Sequence, residues 1–188
     1  MYNCLDLNAY FNNKGITDIY DRDKGNLDPF IGLSLPASYL VNELVIKKDD
    51  DKIPLRFCLN NDVDNMELME QKILIEEKLY SDIYIVGTCN NGNFYNDILL
   101  YSTNGIPQKK RIYLSDLFEE QPSNDEVCLI SFPYTHTKVG IDNHLKPKLW
   151  LHHIKLDKPF KINCIKFSDN PFMHIFSITL KEGDIVAG

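Results

Sequence analysis

The chain has 188 residues, of which 44% are hydrophobic, enough for one sizeable core and for a single domain spanning 1–188. A formal net charge of −7, with only Lys109, Lys110 and Arg111 clustered, argues against nucleic acid as a partner. No segment approaches the roughly 20 apolar residues of a helical membrane span, so no membrane partner is expected.

In chain order, residues 1–32 are rich in Asn, Asp and Gly and predict loops around one or two short strands that wrap an edge. Leu33–Leu40 contains SLPASYL, an extended piece with a short helical turn. The KKDDDK run, Lys47–Lys52, predicts a solvated hairpin tip. Strands follow at Ile53–Cys58, Lys72–Ile75, Ile83–Thr88, Asp97–Ser102 and Lys110–Leu114, separated by the breakers Asn90-Asn91-Gly92-Asn93 and Thr103-Asn104-Gly105. In MELMEQKILIEEKLY, Met66, Met69, Ile73 and Leu74 fit a helical face, whereas Ile73, Ile75 and Leu79 fit a strand before a bend; the surrounding rhythm favours strand. LSDLF predicts a single helical turn capped by Ser115, and EEQPSNDE is a polar loop. The last strands are Val127–Phe132, Lys148–Lys155, Lys161–Phe167 and His174–Lys181. About ten short strands with little helix predict an all-β, antiparallel two-sheet sandwich, with Ile85, Leu99, Tyr101, Leu129, Leu151, Ile165, Phe167, Ile175 and Ile178 inside.

Several segments together are similar to a jelly-roll, galactose-binding-like module of the kind appended to bacterial glycoside hydrolases. They are LDLNAYFNNKGIT, Leu35-Pro36-Ala37, YSDIYIVGTCNNGNFYNDILLYSTNG, IYLSDLF and the ending NCIKFSDNPFMHIFSITL. Gly87, Gly92, Gly105 and Asp116 stand at positions read as turns and caps, while Leu117 stands where the family often has Trp. The resemblance implies a jelly roll with its termini in one sheet, and a carbohydrate or glycosylated small molecule as partner. Within these 188 residues the resemblance leaves no room for a catalytic domain beside it, so a free-standing copy recruited to a different job is the expectation. An alternative is an enzyme or accessory subunit of a small-molecule pathway that uses a cavity of the sandwich; a third reading is a homodimer that buries a sheet face.

The residues themselves supply no convincing catalytic set. His136, His144, His152, His153 and His174 contain no HxH pair, and the neighbours His152 and His153 must face opposite sides of a strand. Cys89 is the one cysteine at a loop lip, where a nucleophile would need a base. Cys4, Cys58, Cys89, Cys128 and Cys164 are odd in number and scattered, which suits reduced core thiols in a cytoplasm. MYNCLDLNAYFNNK lacks the features of a signal peptide, and a secreted protein whose leader was removed is the other reading. Asp18, Asp21, Asp23 and Asp28 around Gly25 are the candidate ligands for a structural calcium ion. For sugar, which needs an aromatic face flanked by amides, the candidates are Asn91, Asn93 and Tyr95 on one loop, Tyr134 and His136 on another, and Trp150.

Overall fold

The computed structural model describes residues 1–48, 51–59, 61–103 and 105–184. Asp49 and Asp50 of the acidic tip and Asn104 of the second breaker lie outside the described residues. Among those described, the chain forms fourteen strands and two single 3-10 turns, at Arg22–Lys24 and Ala37–Tyr39. The all-β reading holds, and none of its helices is long and apolar enough to cross a membrane.

The strands are β1 (Tyr2–Cys4), β2 (Ile16–Thr17), β3 (Leu35–Pro36), β4 (Glu43–Lys48), β5 (Asp51–Arg56), β6 (Met66–Leu68), β7 (Lys72–Cys89), β8 (Phe94–Tyr101), β9 (Gln108–Leu114), β10 (Val127–Ser131), β11 (Thr135–Thr137), β12 (Gly140–Asp142), β13 (Lys148–Phe167) and β14 (Asn170–Glu182). One antiparallel sheet runs β1-β14-β7-β13-β8-β9, with β10 on β13 and β6 on β14. Segments that read as separate short strands are joined: Lys72–Ile75 and Ile83–Thr88 belong to β7, and Lys148–Lys155 and Lys161–Phe167 to β13. These two strands pair from Trp150↔Gly87 to Lys166↔Lys72, with register shifts between Lys155 and Phe160 and between Ile162 and Cys164. Such bulges add twist and bend, so the stretches between these segments are irregular bends within one strand pair.

Apolar side chains on the two faces of this sheet build two cores. Ile83, Ile85, Ile98, Leu100, Ile112, Leu114, Trp150, Ile165, Phe167, Ile175 and Ile178 form one. The end of β9 returns to the end of β7, where Cys89 N donates to Ser115 O (3.0 Å) and Leu117 N to Cys89 O (2.8 Å), so the sheet closes over this core. Tyr84, Val86, Leu149, Leu151 and Phe176 face the other core, together with Ile16, Leu27, Leu33, Leu35, Ile53 and Leu55 from the β4–β5 hairpin and the N-terminal loops. A register shift between Ile175 and Ser177 turns Phe176 into the second core, which lets Ile175 and Ile178, three apart, share the first. The termini meet as expected, with Tyr2↔Lys181 and Cys4↔Thr179 paired.

Six of the nine expected core residues are buried, while Leu99, Tyr101 and Leu129 are only partly so. In β8 the buried positions are Ile98 and Leu100, because they pair with Phe167 and Ile165 of the first core and opposed residues share a face. Two local expectations are corrected as well. Ser115 does not cap a helical turn: its hydroxyl donates to Glu126, and Asp116 instead accepts from Phe118 N (2.9 Å) and Gly92 N (2.8 Å). Gly87 is not a turn residue but lies mid-strand in β7, where a Cβ would strike the His174 carbonyl and approach Leu114 Cδ1 to 2.6 Å.

Candidate functional site

His174 sits on β14 between Met173 and Ile175. Both neighbours enter the first core, so the two-residue strand period sends the imidazole to the opposite layer. There it meets Asn65, with 3.0 Å between His174 Nδ1 and Asn65 Oδ1. Asn65 Nδ2 is committed as donor to Asn13 and Asp64, so Asn65 Oδ1 accepts and Nδ1 carries the proton. His174 Nε2 then keeps its lone pair, is buried and has no partner. Burial lowers the His174 pKa to about 4, so the ring is neutral near pH 7.

The loop that carries Asn65 is fixed by a buried carboxylate. Asp64 accepts from Gly15 N (2.7 Å), Ile16 N (3.0 Å) and Asn65 Nδ2 (3.0 Å), and pairs with Lys14 Nζ at 3.2 Å. Burial raises the Asp64 pKa even against these bonds. The cost of that buried charge is offset by donors that tie the segment 14–16 to the loop at 64–65.

Asn90, just beyond β7, donates from Nδ2 to Leu27 O, and its Oδ1 is buried without a partner. Asn90 and His174 line one cavity of about 140 Å³, with Glu67 beside them and Pro29, Phe30, Pro171 and Phe172 at its edges. Phe172 stacks on Phe94, with centroids 5.4 Å apart and planes at 14°, and Phe30 is 88% exposed. Two fixed acceptors beside apolar and aromatic edges suit a neutral ligand that offers O–H or N–H donors and a C–H face. A larger depression of about 590 Å³, lined by Lys14, Asp18, Asp21 and Lys24, is open, and Lys14 there is already engaged by Asp64 and by Asn61 O (2.7 Å).

Of the residues singled out from the sequence for sugar binding, Asn91 lines the cleft, in a left-handed turn with φ 61°. Asn93 is spent on the Asp116 turn, accepting from Asp116 N (2.7 Å) and donating to Glu119 (3.3 Å). Tyr95 lies on β8 with the Arg111 guanidinium 4.1 Å from its ring centre. Tyr134 and His136 are grouped with Tyr39, and His136 is buried against Thr17 Oγ1 (2.9 Å). The two loops flank one segment: Asn90 bonds Leu27, and Lys138 Nζ donates to Pro29 O (2.8 Å). Tyr134 and His136 do not line the cleft. Trp150 is fully buried, its Nε1 donating to Asp116 O (3.0 Å), and offers no face to a ligand.

The four aspartates of the N-terminal loop are not gathered around one point. Asp21 accepts from Asp18 N (2.7 Å), Asp18 from Tyr20 N (2.6 Å), and Asp28 from Phe30 N (2.8 Å), each closing a local turn, while Asp23 is exposed. Among the described residues, three metal-ligating atoms within 4.8 Å of one another occur only at Asp125, Glu126 and His152. Cys89 is fully buried and burial pushes its thiol up, the opposite of an activated nucleophile. His152 and His153 do face opposite ways, the first toward Asp125 (3.4 Å) and the second toward Asp82 (2.8 Å) with its ring stacked on Tyr84.

No protein-family model matches the chain, and no curated protein matches it in sequence. His174 and Phe172 went unselected by sequence reasoning, although the alternation in NPFMHIFSITL already puts His174 on the side opposite Met173 and Ile175.

Proposed function

We propose that the protein is a non-enzymatic binding module for a carbohydrate or a glycosylated small molecule, held in the Asn90–His174 cleft. The observation that carries this reading is the pair of buried acceptors, Asn90 Oδ1 and His174 Nε2, that find no donor among the described residues. A buried acceptor left unpaired costs about 1–3 kcal/mol. Ligand hydroxyls supply the missing donors, and Phe172 with Phe30 supplies apolar surface for the C–H face of a pyranose. The resemblance to galactose-binding-like modules supports the same ligand class. A cleft of this size takes one sugar unit or the end of a chain, not the length of a polysaccharide.

Calorimetry against a panel of mono- and disaccharides tests this, with Phe172→Ala as the variant. Phe172 is 42% exposed, so its loss leaves the fold intact. The expected result is saturable binding weakened by roughly fivefold in the variant, about 1 kcal/mol of stacking. Absence of binding by the unmodified protein at millimolar saccharide refutes the proposal.

A further inference from the structure

A second group of side chains, sharing no residue with the cleft, lies at the start of β10, where Val127 pairs with Leu151 of β13. His152 is 2% exposed and its Nδ1 has no hydrogen-bond partner. That nitrogen faces the acidic pair at the end of the loop before β10. Asp125 Oδ1 stands 3.4 Å from Nδ1, and Asp125 itself is largely in solvent.

Glu126 is also 2% exposed. One of its oxygens accepts from Ser115 Oγ and from Ser123 Oγ (3.3 Å), and the other, Oε2, is buried with no partner. Ser123 N in turn donates to Ser115 Oγ (2.7 Å), which locks the hydroxyl that orients the carboxylate. One imidazole nitrogen and two carboxylate oxygens thus lie within 4.8 Å of one another, and two of the three side chains, Glu126 and His152, are buried and each carry an unpartnered polar atom. Among the described residues nothing pairs Glu126 Oε2 or His152 Nδ1, and a cation bound beside them would satisfy both at once.

We propose that Asp125, Glu126 and His152 bind a divalent first-row transition metal, with zinc as the best fit. Mixed nitrogen and oxygen donors suit zinc and its neighbours, whereas calcium takes six to eight oxygens and has little use for an imidazole. The second shell is of the kind such sites use, a ligating carboxylate held by the Ser115 and Ser123 hydroxyls. The exposed side of Asp125 leaves a coordination position to solvent. Bound there, the metal ties the 119–126 loop to β13.

The test is calorimetric titration of the chelator-stripped full chain with zinc chloride, and separately with calcium chloride. Asp125→Asn alters an exposed side chain and is not expected to perturb folding; Glu126→Gln keeps shape and changes charge. One equivalent of zinc should bind saturably, and each variant should weaken it roughly tenfold or more, with circular dichroism unchanged for Asp125→Asn. Zinc should also move the ring-nitrogen resonances of His152 and leave those of His174 in place. No saturable zinc binding, equal zinc affinity in wild type and Asp125→Asn, or displacement of zinc by equimolar calcium would each overturn the proposal.

Discussion

The titration of His174 tests the architecture of the cleft without any ligand. Burial is the only cause that lowers its pKa, to about 4, against about 6.5 for an unfolded chain. Between those values the unfolded state holds a proton that the native state refuses. Stability is therefore fully present above about pH 6.5 and falls as the pH drops toward 4. A separation of that size amounts to about 3 kcal/mol at pH 4, with a slope of roughly 1.2 kcal/mol per pH unit near pH 5. His136 and His152 are also shifted down by burial and add to the same limb. The contribution of His174 is isolated by comparison with His174→Gln, whatever that change does to stability at neutral pH. Urea denaturation of both proteins at half-unit intervals from pH 7 to pH 4 provides the assay. The variant should lose the His174 share of the slope. Parallel pH profiles would show that the native ring accepts a proton as readily as the unfolded one, and would refute a buried, unpartnered Nε2 at the cleft.

Two further outcomes follow from the packing. Gly87→Ala, whose new Cβ meets the His174 carbonyl and Leu114, should cost about 1–3 kcal/mol in urea denaturation; a neutral result would mean that β14 does not approach β7 this closely. Ile98→Ala should cost about 2–5 kcal/mol and Leu99→Ala no more than about 1 kcal/mol, a contrast that reports the phase of β8, and the reverse order would exchange its faces.

Local pattern in the chain was sufficient for the all-β class, because short apolar runs bounded by Asn, Asp, Gly and Pro permit little else. It was also sufficient for the strand character of the ambiguous Met66–Tyr80 stretch, for the opposed faces of His152 and His153, and for the burial of Ile175 and Ile178. Where a run is apolar at every position, as at Ile98-Leu99-Leu100-Tyr101, a period of two cannot choose a face, and only the pairing of Ile98 with Phe167 and Leu100 with Ile165 decides it. The continuity of β7 and β13 through polar bends depends on each strand having the other as a partner, which is a property of the pair. Both candidate sites belong to this second kind of information. Asn90 and His174 are 84 positions apart in sequence and meet at one cavity, and Glu126 and His152 converge because Val127 of β10 pairs with Leu151 of β13. Whether a polar side chain is solvated or left buried with an unused lone pair depends on everything packed around it, so that distinction comes into being only when the tertiary structure forms.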